Sequence, residues 1–175
     1  MVVTRHLRTL NPQLYESAGF GDLCAFAPGV LGQTGMESAE IVRSIVEAVR
    51  PSLIVAIDAL ASRRLARLAT TVQLCDTGIY PGAGVSNRRS ELSAETLGVP
   101  VISIGVPTVV DAATLGENAD EKTAAALLAG DGKDMFITLK ESDVITKQTA
   151  RLLGFAINRA FHGELSVEEM EELLA

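Results

Sequence analysis

Asp58 closes a run of five apolar residues, Leu53-Ile-Val-Ala-Ile57, and stands where a buried strand would turn toward a helix. In open α/β sheets, sites form beyond the carboxyl ends of the strands. A carboxylate placed there is partly desolvated, so its pKa can rise and suit a general acid or base. The same position also suits a helix N-cap, or a carboxylate paired with a nearby arginine. A second segment, Asp76-Thr-Gly-Ile-Tyr-Pro-Gly-Ala-Gly-Val-Ser-Asn87, carries Gly78, Gly82 and Gly84 together with Pro81. Glycines allow close backbone approach and positive φ, so this loop could offer N–H groups to an anion or an extended peptide, or simply turn the chain. A third segment, Gly105-Val-Pro-Thr-Val-Val-Asp111, reads as another strand-end turn. There Thr108 could cap a helix with Asp111 at its N3 position, or either side chain could face a cleft.

Other chemistries find no footing. The glycine loop lacks the Gly-Lys-Ser/Thr of a phosphate loop, and Asn87 stands where a dinucleotide fingerprint needs its third glycine. Gly-x-Ser-x-Gly is absent and Ser103 falls inside an apolar run, so no nucleophile triad is evident. The two histidines, His6 and His162, are far apart, and Cys24 and Cys75 form no CxxC. That argues against a metal cluster, and the apolar contexts of both cysteines predict buried, reduced thiols. No cofactor is implied.

The elements that would position these residues alternate. Val2 to Leu7 and Leu23 to Ala27 read as strands, with a loop from Asn11 to Asp22 between them. Ile41, Val42, Ile45, Val46 and Val49 recur at helical spacing, after a capping box of Thr34 and Glu37 and before Pro51. Leu53 to Ile57 predicts a strand buried on both faces, as in a parallel sheet. A short helix with an arginine face follows over 62–68, then an edge strand over 70–74 and a buried strand over 99–106. Helices are expected over 119–129, after Thr138 and Glu141 as a capping box, and after Ser166 and Glu169 as another. The second of these would carry Ile145, Leu152, Ala156, Ile157 and Ala160 on one side, and Gly163 would end it. This order predicts one α/β domain over 1–175, a mostly parallel sheet flanked by helices, with a linker or lost insertion near 113–135.

Of 175 residues, 47% are hydrophobic, which excludes a disordered chain, and the length suits one domain. No apolar run approaches the ~20 residues of a membrane span. The first residues have no apolar stretch of a secretory signal, so a soluble, cytoplasmic protein is expected. The net charge of −7 argues against nucleic-acid binding. The charge is uneven: residues 1–89 hold nine arginines against seven acids, and residues 90–175 hold six bases against fifteen acids. Arg63, Arg64, Arg67, Arg88 and Arg89 could together hold an anionic group, or form a solvated surface.

Five stretches taken together resemble the germination protease family of spore-forming bacteria. They are Val3-Thr-Arg-His-Leu7, Pro28-Gly-Val-Leu-Gly-Gln-Thr-Gly-Met-Glu37, Ile54-Val-Ala-Ile-Asp-Ala-Leu-Ala-Ser-Arg63, Asp76-Thr-Gly-Ile-Tyr-Pro-Gly-Ala-Gly-Val85 with Asn87, and Leu97 to Ala112. The resemblance runs nearly unbroken from Val2 to Ala112 and resumes weakly after Thr138. It implies an endopeptidase of aspartic type, acting on small acid-soluble spore proteins in the forespore or spore core. It also implies a fold related to the hydrogenase-maturation proteases (a phosphorylase/hydrolase-like α/β sheet), a zymogen stage, homotetramers and no required metal.

Of the two aspartates such enzymes use, the second matches Asp58. The first lies in a Pro-Asp-Ala-Leu-Gly-Pro segment upstream of Val-Thr-Arg-His-Leu, and this chain begins at Met1-Val-Val-Thr4 without it or the first βα unit. One protonated and one ionised carboxyl would activate water and protonate the leaving amine, and Asp58 alone cannot do both. Three readings stay open: part of a longer enzyme, an inactive relative that binds peptide or anion without cutting, or a partner acid among Asp76, Asp111 and Glu37. Gly78, Gly82, Gly84, Asn87 and Thr108 would line the cleft. Arg63 or Arg88 would hold a substrate carboxylate. Loss of the first βα unit would expose a sheet edge, which favours a subunit contact.

Overall fold

The computed structural model describes residues 1–82, 90–116, 120–128, 135–163 and 165–174. The chain divides into two compact units, Pro28–Ser142 and the pair of segments Met1–Ala27 with Asp143–Ala175.

The unit over Pro28–Ser142 carries the sheet. After a short helix α3 (Leu31–Thr34), helix α4 (Ser38–Val49) leads through residues 50–53 into strand β1 (Ile54–Ser62). A 3-10 turn (Leu65–Arg67), strand β2 (Gln73–Cys75), helix α5 (Ala94–Leu97) and strand β3 (Val101–Asp111) follow. Helices α6 (Ala112–Gly116) and α7 (Glu121–Leu128) and strand β4 (Phe136–Ile137) complete the unit. The order is β1-β3-β2, with β4 also on β3. The expected parallel pairing is that of β1 with β3, while β2 and β4 run antiparallel to β3, so the described sheet is mixed. The α/β class is as expected, and β2 stands at the predicted edge.

One face of this sheet makes the core. Ala39 and Val42 of α4 cluster with Leu92, Leu97 and Val101, and Val46, Ile54, Ala56 and Ile79 pack against them. Each such side chain contributes about 1.5–3 kcal/mol when fully buried, enough to dock the apolar stripe of α4 on β1. The other face is more open: Ile57 is 50% exposed and Leu74 70% exposed. The expectation that Leu53–Ile57 is buried on both faces therefore fails at Ile57.

Strands β1 and β3 both outrun their predicted ends. Asp58 is the fifth residue of β1, not its terminus, because the ladder to β3 continues through Ser62. Likewise β3 passes through Pro107 and Thr108 to Asp111, so Thr108 is a strand residue rather than a helix cap, and Asp111 stands directly before α6 rather than at the third position inside a helix. The ladder survives Pro107 through a bulge. Leu60 pairs with Pro107 but Ala61 pairs with Val109, which leaves Thr108 as the extra residue. The Thr108 carbonyl accepts instead from the Thr138 hydroxyl at 2.8 Å.

The unit formed by Met1–Ala27 and Asp143–Ala175 holds helices α1 (Leu7–Leu10), α2 (Pro12–Ser17), α8 (Ser142–Phe161, from its second residue) and α9 (Val167–Leu174). The strands expected over 2–7 and 23–27 do not form. The N–H groups of Thr4 and Arg5 both go to the single Leu23 carbonyl, so no ladder can propagate. Side chains take the remaining partners: Asn158 accepts from the Val2 N–H at 2.8 Å, and His162 Nδ1 accepts from the Gly21 N–H at 3.2 Å. The ring therefore donates through Nε2 to the Val2 carbonyl at 3.1 Å. Thr4, Asn158 and His162 are fully buried. The expected loop over 11–22 contains α2, capped by the Asn11 side chain.

The buried side of α8 is Gly154, Ile157 and Asn158. Leu152, Ala156 and Ala160, expected on that side, are exposed because polar Asn158 and His162, not a wide apolar stripe, anchor the helix. The capping box of Ser166 and Glu169 forms as expected, at 2.8 and 3.2 Å. Those of Thr34 with Glu37 and of Thr138 with Glu141 do not. Thr34 ends α3 and bonds within its own turn, and Thr138 turns to Thr108.

Candidate functional site

Asp58 is half-buried on β1, and both of its oxygens accept backbone hydrogen bonds. Oδ1 accepts from its neighbour's N–H at Ala59, 2.9 Å away, and Oδ2 accepts from the Gly82 N–H at 3.2 Å. The second bond joins two regions that the sequence separates by 24 residues. The strand supplies the carboxylate, and the glycine turn supplies a fixed dipole that orients it.

Three further contacts hold that turn. The Ser103 hydroxyl, buried on β3, reaches the carbonyls of Cys75 and Gly78, each at 3.1 Å. Ile79 and Leu92 exchange backbone hydrogen bonds at 3.0 and 2.8 Å. Gly78 has φ +102°, and a Cβ there would lie 2.6 Å from the Leu92 carbonyl oxygen. A side chain cannot fit at that position, so glycine is a packing requirement. Gly82 also takes a positive φ, +73°. Replacing Ser103 by Ala removes the single hydroxyl proton that the two carbonyls of the turn share. A loss of about 1–2 kcal/mol of stability is expected, read as a lowered thermal midpoint, with faster proteolysis between Asp76 and Gly82.

The charges around the turn are organised locally. The Glu91 carboxylate lies beside Tyr80 and, by its charge and then by hydrogen bonding, raises the phenol above the ordinary tyrosine range. Cys75 is exposed, not buried as expected, because it sits on the edge strand, and Cys24 is exposed as well. The Thr77 hydroxyl, 2.9 Å from the Cys75 sulfur, together with the Thr77 N–H lowers the pKa of that thiol. Among the described residues no group of three His, Cys, Asp or Glu is placed to hold a metal ion. None of the described helices is long and apolar enough to cross a membrane.

The sequence-predicted residues divide. Asp58, Gly78 and Gly82 come together in one construction. Gly84, Asn87, Arg88 and Arg89 lie outside the described residues. Arg63 is exposed just past the end of β1, and Arg64 and Arg67 are also exposed. Of the three possible partner acids, Asp111 is six residues beyond Gly105, the partner of Asp58, along β3. At ~3.3 Å per residue that is about 20 Å, too far to share a water with Asp58. Asp76 is exposed at the start of the turn. Glu37 precedes α4, which returns to β1 through 50–53, so the first turn of the helix stands toward the carboxyl end of the strand. Its Oε2 is buried, with no hydrogen-bond partner among the described residues.

Sequence reasoning missed Ser103 and Leu60. Ser103 was visible only as a polar residue in an apolar run. Leu60 closes over Gly105, where a Cβ would collide with its Cδ1. No local signal reveals that contact, because it depends on the register of β1 and β3.

The site is thus a strand-borne carboxylate steadied by a glycine turn on an α/β sheet. Residues 1–122 match the peptidase family described as germination protease. The chain belongs to that family. A germination protease of Clostridium perfringens (strain SM101) is 38% identical over 203 residues, covering 99% of this chain and 62% of the relative. One from Caldanaerobacter subterraneus subsp. tengcongensis is 41% identical over 207 residues, with 99% and 62% covered. One from Bacillus subtilis (strain 168) is 52% identical over 118 residues, with 67% and 32% covered. The chain spans about three-fifths of the length of the first two relatives.

Proposed function

We propose that this chain carries out, or contributes to, the endopeptidase activity of its family, with Asp58 as the carboxylate that activates water against the peptide bond. The observation that carries this reading is the pair of backbone N–H bonds that fix the Asp58 carboxylate from β1 and from the glycine turn. A general base must be held in place and still have lone pairs to spare. Each Asp58 oxygen uses one, leaving one on each for a water. The substrates are small acid-soluble spore proteins, met in the forespore or spore core by a homo-oligomer, tetrameric by family resemblance.

Peptide hydrolysis also needs a proton for the leaving amine, and a second carboxyl is the group that supplies it in a dyad. Among the acids of this chain, Glu37 is the best supported, by its buried unpartnered oxygen and its place above the carboxyl end of β1. Glu37→Gln is therefore expected to lower the cleavage rate about 100-fold with little change in thermal midpoint. Wild-type rates in that variant would exclude Glu37 and assign the second acid to another carboxyl of the chain.

Incubation of a small acid-soluble spore protein with the chain, followed by mass spectrometry, tests the reading. A few defined fragments are expected. Saturable binding without any fragment would select a non-catalytic peptide-binding module instead.

A further inference from the structure

Two residues on different strands share one partner on β3. Asp58 of β1 pairs with Gly105, and Gln73 of β2 pairs with the same Gly105. Direct partners in either kind of ladder point to the same face of the sheet. The Asp58 carboxylate and the Gln73 carboxamide therefore rise from one face, on either side of a residue without a side chain. Two strand spacings separate their backbones, about 10 Å. That is the length of about three residues of extended peptide.

The floor between them is apolar. Leu60, half-buried two residues after Asp58, leans over the Gly105 position. One wall is the fixed carboxylate. The other is Gln73, which is exposed and whose side chain makes no hydrogen bond among the described residues. The β2 ladder to β3 does not need this side chain, since it is made by the backbone. A neutral carboxamide offers a donor and an acceptor together, the complement of the C=O and N–H that one extended residue presents on one side, and indifferent to the side chains on either side.

We propose that Gln73 is a substrate-positioning residue. Its Nε2 donates to the C=O, and its Oε1 accepts from the N–H, of one residue of an extended substrate laid across the row, which places a bond about three residues further along within reach of Asp58. The inference rests on the reading of Asp58 given above.

The test uses a fluorescently labelled small acid-soluble spore protein with the whole chain, measuring both Kd by anisotropy and, where turnover occurs, KM and kcat. Gln73→Ala is expected to weaken binding and raise KM about tenfold, the effect of losing one or two hydrogen bonds, with kcat within twofold. Gln73→Glu, which loses the donor and adds charge, is expected to weaken binding at least as much. Both variants should keep the thermal midpoint, since the side chain is exposed. Asp58→Asn should bind normally and not cut. Unchanged Kd and KM in both Gln73 variants, beside a dead Asp58→Asn, would overturn this inference alone. Full cleavage by Asp58→Asn, or no binding by the wild-type chain, would overturn the reading of the site and this inference with it.

Discussion

Asp58→Asn is expected to lower kcat for cleavage about 1,000-fold or more while leaving KM and the fold nearly intact. The amide is the size of the carboxylate and retains one oxygen. It can still accept from the Gly82 N–H or from the Ala59 N–H, but not from both, since one oxygen becomes an NH2. The structural cost is one hydrogen bond, about 1 kcal/mol, which shows as a small drop in thermal midpoint. The chemical cost is far larger, because a neutral amide does not take the proton of an attacking water. A loss confined to kcat marks a group that works in the transition state rather than in binding. Single-turnover cleavage with excess chain over substrate separates the two.

Gly78→Ala is expected to be the most damaging single methyl in the sheet unit. The residue sits at φ +102°, where an L side chain is strained, and the added carbon would meet the Leu92 carbonyl oxygen at 2.6 Å and Ser93 Cβ at 2.7 Å. Neither obstacle is the free end of a flexible chain. The turn must open, and opening it breaks the Ile79–Leu92 exchange and pulls Gly82 away from Asp58. The stability loss should be about 3 kcal/mol or more, read by denaturant titration, with activity lost even where the protein remains folded. Gly98 is a useful contrast. It also has positive φ (+69°), but a Cβ there meets nothing within 4 Å. Gly98→Ala should therefore carry only the backbone penalty, about 1 kcal/mol.

The parts of the fold that were legible in the sequence are those decided locally. The stripe of Ile41, Val42, Ile45, Val46 and Val49 is α4, and the β-branched runs at 54–57 and 101–104 are the first halves of β1 and β3. Ser166 and Glu169 cap α9 because a capping box involves only residues three apart. What could not be read depends on contacts made elsewhere in the chain. Asp58 and Pro107 look like terminators, yet both lie inside strands, because pairing between β1 and β3 carries each strand past its polar or proline residue through a bulge at Thr108. Val2–Leu7 and Leu23–Ala27 look like strands, yet the Thr4 and Arg5 N–H groups converge on the single Leu23 carbonyl, and both backbone groups of Val2 go to Asn158 and His162 from the other end of the chain. The cysteines look like core residues, yet both are exposed, and Cys75 lies on the strand that ends the described sheet.

The site follows the same division. The aspartate and the glycines were visible as residue types, and the motifs around them carried the family. The bond that unites them, from Gly82 to Asp58, was not visible, because it spans 24 residues and depends on Ser103 holding the turn. Thr108 and Asp111 looked like cleft residues only while β3 was expected to stop at Val106.

A time course by mass spectrometry decides whether Asp58 is the catalytic carboxylate. A small acid-soluble spore protein is mixed with the wild-type chain and with Asp58→Asn, each first shown by circular dichroism to be equally folded. Defined fragments are expected to accumulate with the wild-type chain and none with the variant. The same fragments at the same rate from both would contradict that role, and would place the catalytic carboxylate somewhere other than Asp58.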